Sequence, residues 1–349
     1  MQAVILVGGF GTRLRPLTRN VPKQMLPVVD RPMIEHVVAH LAAHGVTRVV
    51  LSLGFRPEAF SDAYPDGICA GIPVHYAVEP EPLDTAGAVR FAALAAGIEP
   101  SNESASSAGS ADDVSDTFLV LNGDVLTDLN VTAMVAGHRA AGAEATLALT
   151  EVDDPSRYGV VPTDTDGRVL GFVEKPGAGS SPSRWINAGT YVLEPSILER
   201  IPAGRRVSIE REVFPAMAAE GSLHAVQSDA YWIDTGTPEA YIRAQLDLVD
   251  GTRGDLPAVH PSSTVDPSAD VQQSIVMAGA TVGPGAHLLN SIVMGAATVG
   301  AGAMVAHSIV GPGAHVGERA SLTDLTVIGE SESVGAGVEL TGARVPGDS

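Results

Sequence analysis

The last third of the chain repeats itself. Val265, Val282, Val299, Val316 and Val334 mark equivalent positions, at steps of 17, 17, 17 and 18 residues. A second apolar position follows six later, at Val271, Leu288, Val305, Leu322 and Leu340. Ile275, Ile292, Ile309 and Val327 read as a third. A unit this short cannot bury an apolar face alone, so its neighbours must stack on it. Three apolar rungs per coil, with Gly, Ala and Pro at the corners, predict a triangular prism filled by ladders of aliphatic side chains.

Residues 1 to about 250 have another texture, in which short apolar runs alternate with helical spacings. Strands are expected at 3–7, 48–53, 74–78, 117–121, 145–150, 159–162, 169–173 and 190–193, and helices at 33–44 and 85–96. Such alternation predicts an α/β domain: a Rossmann-like, mostly parallel mixed sheet with helices on both faces. Ligands of these sheets bind at the carboxyl ends of strands. Residues 251–262 read as a linker by their Gly and Pro content, and 263–349 as the repeat domain. SNESASSAGSADDVSD, 101–116, is Ser, Ala and acid, and reads as a flexible surface insertion.

The strand at 3–7 runs directly into GGFGTRLRPLTRNVPK. Gly8, Gly9 and Gly11 leave backbone N–H groups bare for a polyphosphate. Arg13, Arg15 and Lys23 supply positive charge beside them. The spacing is neither a Walker loop, which needs Gly-Lys-Ser/Thr, nor a dinucleotide fingerprint, which needs Gly where Leu14 stands. A bare glycine turn with surface arginines would look similar. Lysine usage sharpens the reading: of 21 basic residues only Lys23 and Lys175 are lysines. Both adjoin a proline, and both mark places where a compact ammonium is wanted.

Net charge is −20, from 41 acidic and 21 basic residues. That excludes nucleic acid or an anionic membrane as a partner, since both need a basic face. The single cysteine, Cys69, rules out an internal disulfide framework. No secretion signal and no membrane-length apolar run is visible, so a cytoplasmic location is expected.

GGFGTRLRPLT with PKQMLPV resembles the signature of the sugar-1-phosphate nucleotidylyltransferases, the NDP-sugar pyrophosphorylases. LNGDV, YGVV, FVEKP, INAGTYV, SIEREVFP and YWIDTGTPEAY follow in that family's order. Within it the resemblance runs most to the GDP-mannose pyrophosphorylases, and covers nearly all of the chain except 101–116. The repeats likewise resemble the left-handed parallel β-helix built from hexapeptide repeats. What this implies is transfer of a nucleoside monophosphate from an NTP, with GTP favoured, to a hexose 1-phosphate such as mannose 1-phosphate. A uridylyl-, thymidylyl- or adenylyltransferase on glucose 1-phosphate, and a non-catalytic paralogue that binds NDP-sugar, are the alternatives. The full charged set argues against the paralogue.

The resemblance also implies roles. Arg13, Lys23 and Lys175 would be catalytic. Leu6, Gly8, Gly9, Gly11, Thr12, Asp84, Thr85, Gly87, Asn122 and Gly123 would hold the nucleotide. Gly159, Glu174, Lys175, Asn187 and Gly189 would hold the sugar phosphate, and Tyr158 either stacks there or belongs to the core. Asp124 and Asp234 would hold Mg²⁺, although each also suits a turn or a helix cap. Relatives usually carry Gly where Asp84 stands; its carboxylate can read guanine or cap the following helix. The plainer alternative for Glu174 and Lys175 is an exposed ion pair in a turn before Pro176. His287, His307 and His315 would suit an acyltransferase prism, but scattered polar residues on solvated faces explain them as well. The prism is expected to serve self-association into a homo-oligomer.

Overall fold

The computed structural model describes residues 1–100, 117–177, 179 and 181–347; the expected insertion at 101–116 lies outside them. The chain divides into two compact units, one of Met1–Gly8 with Glu35–Trp232, the other of Gly9–Ile34 with Ile233–Ser349.

The first unit is built on one mixed sheet. Its strands are β1 (Gln2–Leu6), β2 (Arg48–Leu53), β3 (Ile68–Cys69), β4 (Ile72–Val78) and β5 (Phe118–Asn122). They continue with β6 (Ala145–Glu151), β7 (Gly159–Val160), β8 (Val173–Glu174), β9 (Trp185–Leu193) and β10 (Leu223–Ser228). The order is β8-β7-β9-β5-β1-β2-β4-β3, with β6 also on β9 and β10 on β6. Strands β5, β1, β2 and β4 run parallel, and β9 runs against β5. The middles of β1, β2 and β5 are apolar runs because both faces are covered. Ala3, Val4 and Ile5 pair with Leu119, Val120 and Leu121, all buried.

The longer helices are α1 (Met33–Ala43), α2 (Asp84–Ala95), α3 (Val131–Ala141) and α4 (Phe214–Glu220). Local chemistry sets their ends. Asn130 Oδ1 accepts from the Ala133 N–H at 2.9 Å to start α3, and Gly142 ends it at φ 57°. The core gathers Val4, Val50, Val89, Phe118, Leu147, Tyr191 and Phe214. Cys69 is buried and its thiol is pushed up to about 12 by burial, which makes it an inert core residue.

Three strand expectations change, and the first is the run at 159–162, which gives only Gly159–Val160. The strand expected at 190–193 begins at Trp185, with a register shift between Asn187 and Tyr191; Gly189 at φ 73° is the kink. The run at 169–173 gives only Val173–Glu174 and an isolated Thr163–Val169 bridge. A tight turn at Gly167, φ 81°, joins the two residues of that bridge.

In the second unit the repeats form three five-stranded parallel sheets, consistent with a left-handed parallel β-helix. One sheet runs from Thr264–Val265 to Ser333–Val334, the next from Asp270–Gln272 to Glu339–Thr341, the third from Ile275–Val276 to Arg344–Val345. The third rung needs correction. Val276, Val293, Val310 and Ile328 belong to the interior cluster, and Ile275, Ile292, Ile309 and Val327 do not. The latter are equally buried but stand on the opposite face of that sheet, because side chains alternate along a strand. With both residues of each pair apolar, sequence alone did not reveal which one points inward.

One corner carries a buried hydroxyl column that the repeat reading missed. Ser274, Ser291, Ser308 and Thr326 are buried there. Ser274 Oγ accepts from the Ser291 N–H at 3.0 Å, and Ser291 Oγ from the Ser308 N–H at 3.1 Å. The same corner absorbs the eighteenth residue. Earlier coils turn it with one left-handed residue, Gln273, Asn290 or His307, whereas the fourth uses two, Asp324 and Leu325 at φ 54° and 61°. His287, His307 and His315 are exposed.

Candidate active site

Within the second unit, the glycine stretch is a run of tight turns. Leu14 N donates to Gly11 O at 2.9 Å, Leu17 N to Leu14 O at 3.1 Å, and Arg19 N to Pro16 O at 3.2 Å. Gly11 adopts φ 61°, where a Cβ would also meet Thr18 Cγ2 at 3.0 Å, so glycine is required twice over. Buried Thr18 donates its hydroxyl to Gly11 O at 2.7 Å. Lys23 folds back over the turn, its Nζ 3.6 Å from where a Gly9 Cβ would lie. Gly9, Thr12 and Arg13 are exposed.

Arg13 lies 3.9 Å from the Asp234 carboxylate, with side chains 61% and 22% exposed. Asp234 Oδ1 accepts from the Gly236 N–H at 2.9 Å. A Cβ at Gly236 would strike the Arg13 guanidinium. The glycine of Asp-Thr-Gly thus leaves room for the cation beside the carboxylate. Thr237, and not Asp234, caps the next helix, α5 (Pro238–Leu246), through its hydroxyl on Ala240 N at 3.2 Å.

The first unit carries the other expected residues at strand ends. Leu6 O accepts from the Gly123 N–H at 2.9 Å. A Cβ at Gly123 would meet Val7 Cγ1 at 2.6 Å, so the turn after β5 admits only glycine there. Asp124 follows, half-buried. Asn122 packs beneath the β9 kink, where a Cβ on Gly189 would stand 2.6 Å from its Nδ2. Asn187 closes the kink, with its Oδ1 accepting from the Gly189 N–H at 3.0 Å and its Nδ2 donating to the Tyr191 hydroxyl at 2.8 Å.

Gly159 pairs with Glu174 across β7 and β8, and a Cβ there would lie 2.7 Å from Phe172 and 3.0 Å from Glu174 Oε2. Lys175 turns at φ 49° and its Nζ reaches Glu174 Oε1 at 3.1 Å. The plain ion pair is therefore present, with the ammonium side chain 59% exposed. Tyr158 lies edge-on to Trp232 with ring centroids 5.7 Å apart.

The α2 entrance departs from expectation. Asp84 is exposed at φ 61°, and its Oδ1 accepts only from the adjacent Thr85 N–H, at 2.8 Å, which is not a helix cap. Thr85 is engaged: its hydroxyl donates to Glu210 Oε2 at 2.6 Å and accepts from Ile209 N at 2.9 Å. A Cβ at Gly87 would sit 2.8 Å from the Leu83 Cβ. A cavity of about 520 Å³ adjoins this turn, lined by Leu83, Gly87, Arg90, Phe91 and Arg205 among others. Its lining is mainly apolar and includes none of the strand-end residues.

Two residues were overlooked in sequence. Glu79 lies near Gly8, accepting from Ser52 Oγ and Leu83 N, each at 3.0 Å. Glu210 anchors Thr85. It lies in SIEREVFP, whose local sequence carries no sign of that contact.

Among the described residues no cluster of three or more His, Cys, Asp or Glu side chains is set as a metal cage. Asp124 and Asp234 offer single carboxylates. Such donors suit a hard cation that takes its remaining oxygens from phosphates and water.

The sequence matches the Nucleotidyl transferase family over residues 2–251 and the GMPPB C-terminal domain family over 255–347. It is 39% identical over 280 residues to a mannose-1-phosphate guanylyltransferase of Mycobacterium tuberculosis, covering 77% of this chain and 72% of that one. A mannose-1-phosphate guanyltransferase of Schizosaccharomyces pombe is 39% identical over 284 residues, 78% of this chain and 73% of that one. Among solved structures, HddC from Yersinia pseudotuberculosis, also crystallised in complex with GMP-PN, aligns with TM-scores of 0.57 and 0.56 at 30% identity, over 70% of this chain and 97% of that one. Motif order, the strand-end glycines and these matches agree: the chain is an enzyme of the nucleotidyl transferase family.

Proposed function

We propose that this chain transfers the guanylyl group of GTP to mannose 1-phosphate, releasing pyrophosphate and forming GDP-mannose. The observation that carries the reading is the likeness, at 39% identity, to relatives named for that activity. The charged residues Arg13, Lys23, Asp124, Glu174, Lys175 and Asp234 are all present.

An oxygen of the sugar phosphate attacks the α-phosphorus in line, and pyrophosphate leaves. Two anions must meet, so the protein's work is neutralisation and alignment. Arg13 and Lys23 hold the triphosphate and the departing pyrophosphate over the N–H groups of Gly8, Gly9, Gly11 and Thr12. Leu6, Asn122 and Gly123 would hold the nucleoside together with Asp84, Thr85 and Gly87. Lys175 neutralises the sugar phosphate. Glu174 and Asn187 bond sugar hydroxyls, and Gly159 and Gly189 let backbone come close. Nucleotidyltransferases of this family use a divalent metal; here Asp124 and Asp234 would hold Mg²⁺, which supplies charge neutralisation at the phosphates. The chain works in the cytoplasm as a homo-oligomer joined through the prism.

Pyrophosphate release is to be measured with each of four NTPs against mannose 1-phosphate and glucose 1-phosphate. GTP with mannose 1-phosphate should give the highest kcat/KM. A higher value for UTP, dTTP or ATP with glucose 1-phosphate would overturn the assignment.

A further inference from the structure

We infer that Arg19 is a positioning residue, tying the triphosphate turn to the last coil of the prism so that the coil sets the geometry of the turn. This rests on the reading of residues 8–23 as the turn that holds triphosphate. Arg19 Nη2 donates to Gly347 O at 2.6 Å and to Pro346 O at 3.3 Å. A second contact lies beside it: a Cβ on Gly329 would stand 3.1 Å from Pro16 Cβ and 3.0 Å from Val345 O. The turn is thus seated on the prism through a guanidinium clamp and a glycine seat.

The link from clamp to phosphate site is short and stiff. Thr18, next to Arg19, is 1% exposed and donates its hydroxyl to Gly11 O at 2.7 Å. The bonds of Leu14, Leu17 and Arg19 N–H groups, each to the carbonyl three residues back, tie Gly11 to Arg19 turn by turn. Lys23, on the same stretch, covers Gly9. A shift at Arg19 is therefore passed to the N–H groups and the ammonium that receive phosphate, and a misplaced donor costs affinity. The β-helix acts here as part of the substrate-holding frame, in addition to any part in assembly.

The test uses the full chain with R19A, R19K and G329A. Calorimetry reads the binding of inorganic tripolyphosphate with Mg²⁺, and steady-state kinetics read KM for GTP and for mannose 1-phosphate separately. Loss of the clamp in R19A, or a wedge under Pro16 in G329A, should weaken tripolyphosphate and raise the GTP KM by about 3- to 10-fold, the worth of one hydrogen bond. The mannose 1-phosphate KM should hold, and R19K should recover part of the loss. Tripolyphosphate affinity within twofold of the unaltered chain in both variants would overturn the inference. So would no binding by the unaltered chain, or a parallel rise of both KM values with a lowered Tm. If the unaltered chain binds tripolyphosphate and the variants bind it more weakly, yet GTP and mannose 1-phosphate do not react, the guanylyl assignment fails and the clamp stands.

Discussion

At the scale of single residues, the two lysines give the sharpest division of labour. Lys23 covers the glycine turn and Lys175 sits on the β8 edge beside Glu174. Loss of a charge-assisted contact is worth roughly 1.5–3 kcal/mol, about 10- to 100-fold in rate. K23A should show that loss mainly in the GTP KM, and K175A mainly in the mannose 1-phosphate KM or in kcat. Assays varying one substrate at a time read the split, and near-native constants in either variant contradict its role. Asp84 is held at φ 61° with only its neighbour's N–H to satisfy. A left-handed backbone costs a non-glycine residue on the order of 1 kcal/mol, so D84G should raise stability by up to about that amount, read by urea unfolding. If the carboxylate also reads guanine, the same variant narrows the kcat/KM preference for GTP over UTP; an unchanged ratio dismisses that role. The two lysines stand out in the sequence because lysine is so rare here. Glu79 was not, since its value comes from being brought beside Gly8 by β4, a fact of topology that no local motif records.

Whole elements tell a similar story about what a sequence can reveal. The period of the repeat was plain, and two of its rungs were placed correctly from spacing alone. The third was displaced by one, because Ile-Val pairs are apolar on both sides and the alternation that decides the face is silent. The kink in β9 was hidden for another reason. INAG resembles loop sequence, yet the Asn187 side chain bonds the kink and Asn122 packs beneath it, so the strand continues through Gly189. The hydroxyl column offers a test at this scale. S291A removes the acceptor for the Ser308 N–H inside a buried corner, and an orphaned buried donor costs about 1–3 kcal/mol. Chemical unfolding followed by far-ultraviolet circular dichroism should show that loss. A change within 0.5 kcal/mol, about the level of a neutral surface substitution, would mean that the column is ornamental.

For the molecule as a whole, a charge of −20 makes the assembly of like chains costly except through faces low in charge. The prism presents such a place, where Leu289 and Met304 are 38% and 45% exposed on its second sheet. Sedimentation should therefore give a mass above the 35.8 kDa of one chain, and L289D with M304E should bring it down to a single chain. A chain that already sediments alone contradicts the prism's part in assembly. The fourth corner accommodates Asp324 and Leu325 where its predecessors spend a single residue, and the coils on either side keep their register. Here the winding already accepts extra thread without losing its pitch, so a foreign peptide spliced between those two residues should be displayed outward while the spool beneath it stays wound.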